Sequence, residues 1–267
     1  MVEPWRRASP HAQGPGILRS RSLATGHRRL AELLRPGLRV LDVGCGPGTI
    51  TRGIAEAVGP SGQVVGVDLH PRLIAEARRL NEAVPSLTFT ACDAYNLPFR
   101  DEFDIVTAAR VLQWLSRPLD ALHRIVEATK FGGRVVVLDY NHEKIIWTPD
   151  PPDTTLTFHA AFLRWRTAAG LDNAIADHLM EMFAAAGLRD IVQTLQSEVA
   201  RRADPDFPTR MATWAEIPAF HGPRMVEDGV ITEAERAAAE TDYRVWMSSR
   251  AESQALYLIA VDGIRPV

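Results

Sequence analysis

Val40-Leu41-Asp42-Val43-Gly44-Cys45-Gly46-Pro47-Gly48-Thr49 is the stretch on which the reading of this chain turns. An apolar run enters a glycine loop. Beyond it, Ile50, Ile54 and Val58 recur four apart, so Thr49–Val58 is expected as a helix with one buried face. A glycine loop between a strand and a helix start presents backbone N–H groups and the positive helix end to a ligand. A phosphate loop would need Gly-Lys-Ser/Thr at its end, which is absent. A dinucleotide loop would need glycine where Thr49 stands. What remains is Asp-x-Gly-x-Gly-x-Gly, whose leading carboxylate suits a ligand bearing an ammonium group better than a pyrophosphate. Taken alone, the three glycines are also what a tight turn uses.

Outward from this loop, short apolar runs alternate with amphipathic helices, the pattern of a parallel sheet with crossover helices. Strands are expected at Leu38–Val43, Gln63–Val67, Leu87–Ala91, Asp104–Ala108 and Arg134–Asp139, and helices at Pro71–Ala83 and Pro118–Thr129. Upstream, Leu23–Leu34 reads as one helix ended by Pro36-Gly37, and residues 1–22 as an irregular arm. Downstream, 140–153 reads as a proline-rich loop, 154–169 and 174–186 as helices, 189–199 as β structure, 232 onward as a helix, and 255–261 as a last strand. The expected fold is α/β: a doubly wound, mostly parallel seven-stranded sheet in one domain over 23–267, with helical lid insertions at about 140–170 and 204–250.

The motif Asp42-Val-Gly-Cys-Gly-Pro-Gly48 resembles the first motif of class I S-adenosylmethionine-dependent methyltransferases, and later motifs agree in order and spacing. Asp68 ends the second strand, Cys92-Asp93-Ala94 the third. Leu97-Pro98-Phe99 leads into the fourth, Arg110-Val111-Leu112-Gln113-Trp114-Leu115 follows it, and Phe131-Gly132-Gly133-Arg134 introduces the fifth. The resemblance covers 23–140 well, and its general pattern is nearest to quinone-pathway and secondary-metabolite enzymes. It implies a Rossmann-like methyltransferase fold and S-adenosylmethionine as cofactor. By resemblance, Gly44, Cys45, Gly46 and Gly48 form the loop at the methionine moiety, and Asp42 supports that loop and the ammonium group. Asp68 would hold the ribose, Leu69 would pack under the adenine, and Asp93 with the Ala94 N–H would read the adenine edge. The Arg110 backbone would lie near the methionine amine, and Arg21 or Arg19 from the arm would pair with the carboxylate. Each has a plainer alternative: Asp68 as a helix cap before Pro71, Asp93 as a turn residue, and the arm arginines as solvated charges.

A sulfonium methyl is already activated, so alignment and exclusion of water carry most of the work, and a base is needed only for an acceptor still protonated at neutral pH. Open α/β sites form at strand carboxyl ends, which puts Asp139-Tyr140-Asn141-His142-Glu143 in view. His142 is the leading base candidate and Tyr140 its neighbour. The alternatives are a surface-loop histidine and a core aromatic. Trp147, Phe158, Phe162, Trp165, Trp214, Phe220, Tyr243 and Trp246 in the two long segments suit an apolar or aromatic small molecule, or else they pack the extra helices onto the body.

The totals set outer limits. With 267 residues, 46% of them hydrophobic, the chain can bury a sizeable core. Net charge −3 gives no basic face for duplex nucleic acid. Cys45 and Cys92 form neither a metal spacing nor a disulfide framework, no metal site is read, and no apolar run is long enough to span a membrane. A cytoplasmic enzyme is expected, and a homodimer is compatible with the sequence. The rival readings are a methyltransferase acting on RNA or protein, a noncatalytic S-adenosylmethionine-binding module and a nicotinamide oxidoreductase.

Overall fold

In the computed structural model, Arg19 and residues 21–267 are described. The earlier part of the arm lies outside the described residues. The strands are β1 (Arg39–Val43), β2 (Gln63–Asp68), β3 (Leu87–Ala91), β4 (Phe103–Ala109), β5 (Thr129–Thr148), β6 (Arg189–Leu195), β7 (Glu198–Arg201) and β8 (Ser253–Ile264). They form one sheet in the order β3-β2-β1-β4-β5-β8-β6, with β7 also paired to β8. The first five run parallel, and β8 is antiparallel to β5, β6 and β7. The mixed, mostly parallel α/β sheet is the expected one, with an eighth short strand.

Helices cover both faces because side chains alternate along each strand. Val40, Ile105 and Val136 pack with Ile54 and Val58 of α3 (Thr49–Val58) and Ile74 and Ala77 of α4 (Pro71–Leu80). Their neighbours Leu41, Val106, Val135 and Val137 face the opposite core. There they join Leu122 and Ile125 of α5 (Pro118–Ala128) and Phe183 of α7 (Ile175–Ala185). That second core continues into α6 (Asp153–Ala168), α8 (Phe207–Phe220), α9 (Gly222–Glu227) and α10 (Glu233–Ser249). A capping box between Thr232 and Glu235 starts α10.

Three local expectations are corrected. The helix expected over Leu23–Leu34 is two, α1 (Leu23–Gly26) and α2 (Arg28–Leu33), because His27 at φ −154°, ψ 63° is not helical. Its buried Nε2 lies 3.0 Å from the Thr107 hydroxyl, so the break anchors the segment to β4. The loop expected over 140–153 is strand as far as Thr148, because β8 supplies an antiparallel partner that sequence proximity does not reveal. The β structure expected over 189–199 divides at Gln196, whose side chain accepts from the Arg29 N–H at 2.7 Å.

The β5–β8 pairing is irregular where it matters. Asn141 pairs with Tyr257 and Ile146 with Ala255, so β5 holds three more residues than β8 across that interval. Such a bulge breaks the two-residue alternation and re-aims side chains. His142 lies inside it, with its N–H donating to the Asn173 carbonyl at 2.7 Å. Asp262 of β8, fully buried, accepts from Arg29 at 2.6 Å and also pairs with Arg134, tying α2 to β8 and β5. No helix among the described residues is long and apolar enough to cross a membrane.

Candidate active site

A cleft of about 820 Å³ opens at the carboxyl ends of β1, β2 and β4. Gly44, Gly46, Asp68, Leu69, Asp93, Ala94, Arg110 and Arg21 all line it. The loop is built from strained positions. Gly44 and Gly46 have φ of +73° and +55°, where L side chains are disfavoured. A Cβ on Gly44 would lie 2.3 Å from Val111 Cγ2, whereas one on Gly46 would meet nothing within 4 Å. Gly44 is therefore required by packing, and the space beside Gly46 is left for something else. Asp68 locks the loop: its Oδ2 accepts from the Gly46 N–H at 3.0 Å and its Oδ1 from the His70 N–H at 2.9 Å. Burial raises its pKa, against the pull of those two bonds.

Asp42, Cys45 and Gly48 stand behind the cleft surface. Asp42 is 3% exposed and accepts from the Thr51 hydroxyl at 2.7 Å, so it braces the start of α3; nothing places it in the cleft against an ammonium group. Burial lifts its pKa to about 7. The buried Cys45 thiol is pushed up well above its usual value, chiefly by burial, which fits a small loop residue and no nucleophile. A side chain on Gly48 would strike the Phe89 ring. Asp68 is not the side-chain cap of α4, whose N-cap is His70. Asp93 accepts from the Tyr95 N–H at 3.0 Å and caps the short 3₁₀ turn Ala94–Asn96, so it has a turn role within the cleft wall.

Arg110 and the arm arginines settle differently from one another. Arg110 sits at φ +62°, its N–H donates to the Leu138 carbonyl, and its own carbonyl accepts from Gln113 Nε2. Its side chain, 2% exposed, donates from Nε to the Tyr140 hydroxyl at 3.0 Å and pairs with Glu198. Burial works against that charge, but Glu198 and Tyr140 outweigh it and hold the arginine firmly protonated. Arg21 lies beside the same group, and its pKa is lowered by burial and by Arg110. Arg19 points elsewhere and pairs with Glu76 at 2.6 Å. Glu198, on β7, was not foreseen; nothing near it in sequence marks it as a partner of Arg110.

A second pocket, about 610 Å³, adjoins the first across Arg21 and Trp114, which line both. Gln113, Tyr140 and His142 form its body side, and Phe162, Trp214, Phe220 and His221 its other side. Of the eight aromatics read from the two long segments, Phe162, Trp214 and Phe220 line this pocket. Trp147, Phe158, Trp165, Tyr243 and Trp246 lie in the core behind it. His142 is not a surface-loop residue: it is 9% exposed, between Tyr140 at 5.4 Å and Phe162 at 6.1 Å, ring centre to ring centre. Burial, then Arg166, His159 and His221, push its pKa well below the usual histidine range, so it is neutral at neutral pH. Tyr140 is also buried, and its hydroxyl lies 3.4 Å from Glu198 Oε2. Burial raises its pKa.

A mixed sheet with a glycine loop at the end of β1 and a carboxylate at the end of β2 defines the class I S-adenosylmethionine-dependent methyltransferase type. Residues 34–187 match the family model described as a methyltransferase domain, and the chain belongs to that family. It is 38% identical over 121 residues to the ubiquinone/menaquinone biosynthesis C-methyltransferase UbiE of Burkholderia orbicola, a match covering 43% of this chain and 47% of the relative. The chain spans less than half the length of the curated relatives it matches. Among solved structures it is similar to the YcgJ protein of Bacillus subtilis, with TM-score 0.58, 20% identity, and coverage of 90% of this chain and 100% of the other. It is also similar to a phosphoethanolamine N-methyltransferase of Haemonchus contortus in complex with phosphomonomethylethanolamine and S-adenosylhomocysteine. That likeness has TM-score 0.56 and 18% identity, over 90% of this chain and 52% of the other. At these identities the structural likenesses speak for the fold.

Proposed function

We propose that this chain transfers a methyl group from S-adenosylmethionine to a small, largely apolar or aromatic acceptor. The observation that carries the reading is the pair of adjoining cavities. One is lined by the glycine loop, Asp68 and Asp93, and the other, across Arg21 and Trp114, is walled by aromatic rings. The open space at Gly46 and the buried carboxylate of Asp68 fit the cofactor. When bound, it supplies an activated methyl on a sulfonium. The chain's own contribution is to hold donor and acceptor in line and to exclude water.

In this reading Asp68 holds the ribose hydroxyls with the lone pairs left by Gly46 and His70, Leu69 packs under the adenine, and Asp93 and Ala94 meet its edge. Arg21 pairs with the methionine carboxylate. The helices α6, α8 and α10 act as a lid. Tyr140 forms part of the acceptor-pocket wall, with its hydroxyl engaged by Arg110 and Glu198, and His142 is the general base. Arg21→Ala is expected to weaken S-adenosylhomocysteine binding about tenfold, the scale of one charge-assisted contact. Calorimetric titration measures it, and unchanged affinity would remove that role.

The direct test is transfer of labelled methyl from S-adenosylmethionine across a panel of phenols, quinols, carboxylic acids, amines and thiols. Product with hydroxylated aromatics and none with amines fits the reading; binding of S-adenosylhomocysteine with no product from any acceptor would favour a noncatalytic module. With an acceptor in hand, His142→Ala is expected to lower turnover about a hundredfold while leaving cofactor affinity in place. The depressed pKa adds a pH signature. An ordinary histidine loses its base form below about pH 6.5. His142 keeps its own, so it contributes no acid limb between about pH 7.5 and about pH 6. An acid limb centred near 6.5 that disappears in His142→Ala would contradict the buried, neutral state.

A further inference from the structure

Gln113, in the turn after β4, is 1% exposed, and each of its polar groups is engaged. Its N–H donates to Asp139 Oδ2 at 3.1 Å, and its carbonyl accepts from Arg166 Nη2 at 2.9 Å. Its side-chain Nε2 donates to the Arg110 carbonyl at 3.3 Å, and its Oε1 lies 2.5 Å from His142 Nε2. A carboxamide has one donating and one accepting end. The Arg110 carbonyl can only accept, so the NH₂ end must face it; the reverse orientation would set two carbonyl oxygens against each other. The oxygen end therefore faces His142 and cannot donate, so the hydrogen of this contact sits on His142 Nε2. In a neutral imidazole the lone pair is then on Nδ1.

We infer that Gln113 is a positioning residue that locks His142 in the Nε2–H tautomer and so makes Nδ1 its basic atom. This rests on the reading of His142 as the base. With an acceptor X–H, the X–methyl bond forms and the methyl–sulfur bond breaks with its electron pair left on sulfur. The proton of X–H passes to Nδ1. The resulting imidazolium keeps its Nε2–H on Gln113 and later releases the new proton to solvent.

Arg166 braces the lock from the α6 side. It is fully buried, with its guanidinium 4.6 Å from the Trp114 ring centre. Besides its bond to the Gln113 carbonyl, it donates from Nε to Asn173 Oδ1 at 2.8 Å, and the Asn173 carbonyl receives the His142 N–H. One guanidinium thus holds the Gln113 backbone directly and that of His142 through Asn173. The charged and titratable groups around His142 are Arg166 and His159 from α6, His221 after α8, Glu216 on α8, Tyr140 and Asp139 on β5, and Arg21 from the arm. Arg166, His159 and His221 all disfavour the imidazolium, which keeps the Nδ1 lone pair available.

Long-range ¹H–¹⁵N spectra of the full chain with ¹⁵N-histidine read the tautomer without any acceptor, and His142→Ala assigns the signal. A single Nε2–H form of His142 is expected at pH 7. In Gln113→Leu the two tautomers should mix. In Gln113→Glu the carboxylate should raise the titration of His142 by one pH unit or more, a tenfold or greater gain in proton affinity. An Nδ1–H form or a mixture in the parent would overturn the lock, as would a Gln113→Glu variant with tautomer and titration both unmoved. The turnover of His142→Ala separates this from the reading beneath it. Parent-like turnover removes the base and with it the catalytic meaning of the lock, whereas lost turnover with an Nδ1–H ring removes Gln113 alone.

Discussion

Asp68→Ala should lower the affinity for S-adenosylhomocysteine by a hundredfold or more, read by calorimetric titration beside the parent. Two contributions add. The carboxylate accepts from the Gly46 and His70 N–H groups, so its removal leaves the glycine loop without its anchor. Contacts to a charged group are each worth about 1.5–3 kcal/mol, and the proposed ribose bonds go with them. Folding should suffer less than binding, because burial raises the pKa of this carboxylate and its removal relieves that cost. Parent-like affinity in the variant would remove Asp68 from the cofactor site and leave it as a brace of the loop.

The second large effect separates two glycines that look alike in sequence. Gly44→Ala places a methyl 2.3 Å from Val111 Cγ2, at a backbone angle already unfavourable for alanine. Valine is stiff about χ1 and cannot swing clear at small cost. A loss of about 2–4 kcal/mol is expected, which for a chain of this size lowers Tm by about 5–10 °C. Gly46→Ala meets no atom, so only the left-handed backbone cost of about 1–2 kcal/mol remains. Its methyl lies where the cofactor is proposed to approach, so S-adenosylhomocysteine affinity should fall more than tenfold while Tm moves by only a few degrees. Thermal melts and titrations of both variants decide it. Gly46→Ala with full affinity would contradict the proposed approach to this loop.

What was legible in the sequence was what local pattern encodes. The strand, glycine loop and helix at Arg39–Val58 were read with boundaries near those observed, because apolar periodicity and glycine spacing are properties of neighbouring residues. The length of β5 was hidden. Pro149, Pro151 and Pro152 suggest a loop, and the bulge between Asn141 and Ile146 scrambles the alternation that would have marked Ile145-Ile146-Trp147 as strand. The break at His27 was hidden for a related reason, since it answers to Thr107, far along the chain.

The site divides in the same way. Residues lining the first cleft lie at strand ends that motif order can place. The surroundings of His142 come from Gln113, Phe162, Arg166 and His221, gathered by packing from separate elements. Gln113 belongs to the Arg110–Leu115 motif, but its sequence neighbours give no hint that its side chain faces β5. Glu198 and Arg110 meet only because β7 folds beside β8.

β8 follows every other described strand in sequence, yet it sits inside the sheet between β5 and β6. A ribosome therefore delivers β1 to β5, with the glycine loop and both carboxylates Asp68 and Asp93, well before the strand that fills the gap. Until β8 emerges, β5 has an open edge, a hazard for any nascent sheet. The bulge that aims His142 has no partner strand to define it, and Leu256 of the second pocket has not yet been made. The glycine loop and Asp68 of the first cleft are thus laid down before the strand that completes the second pocket.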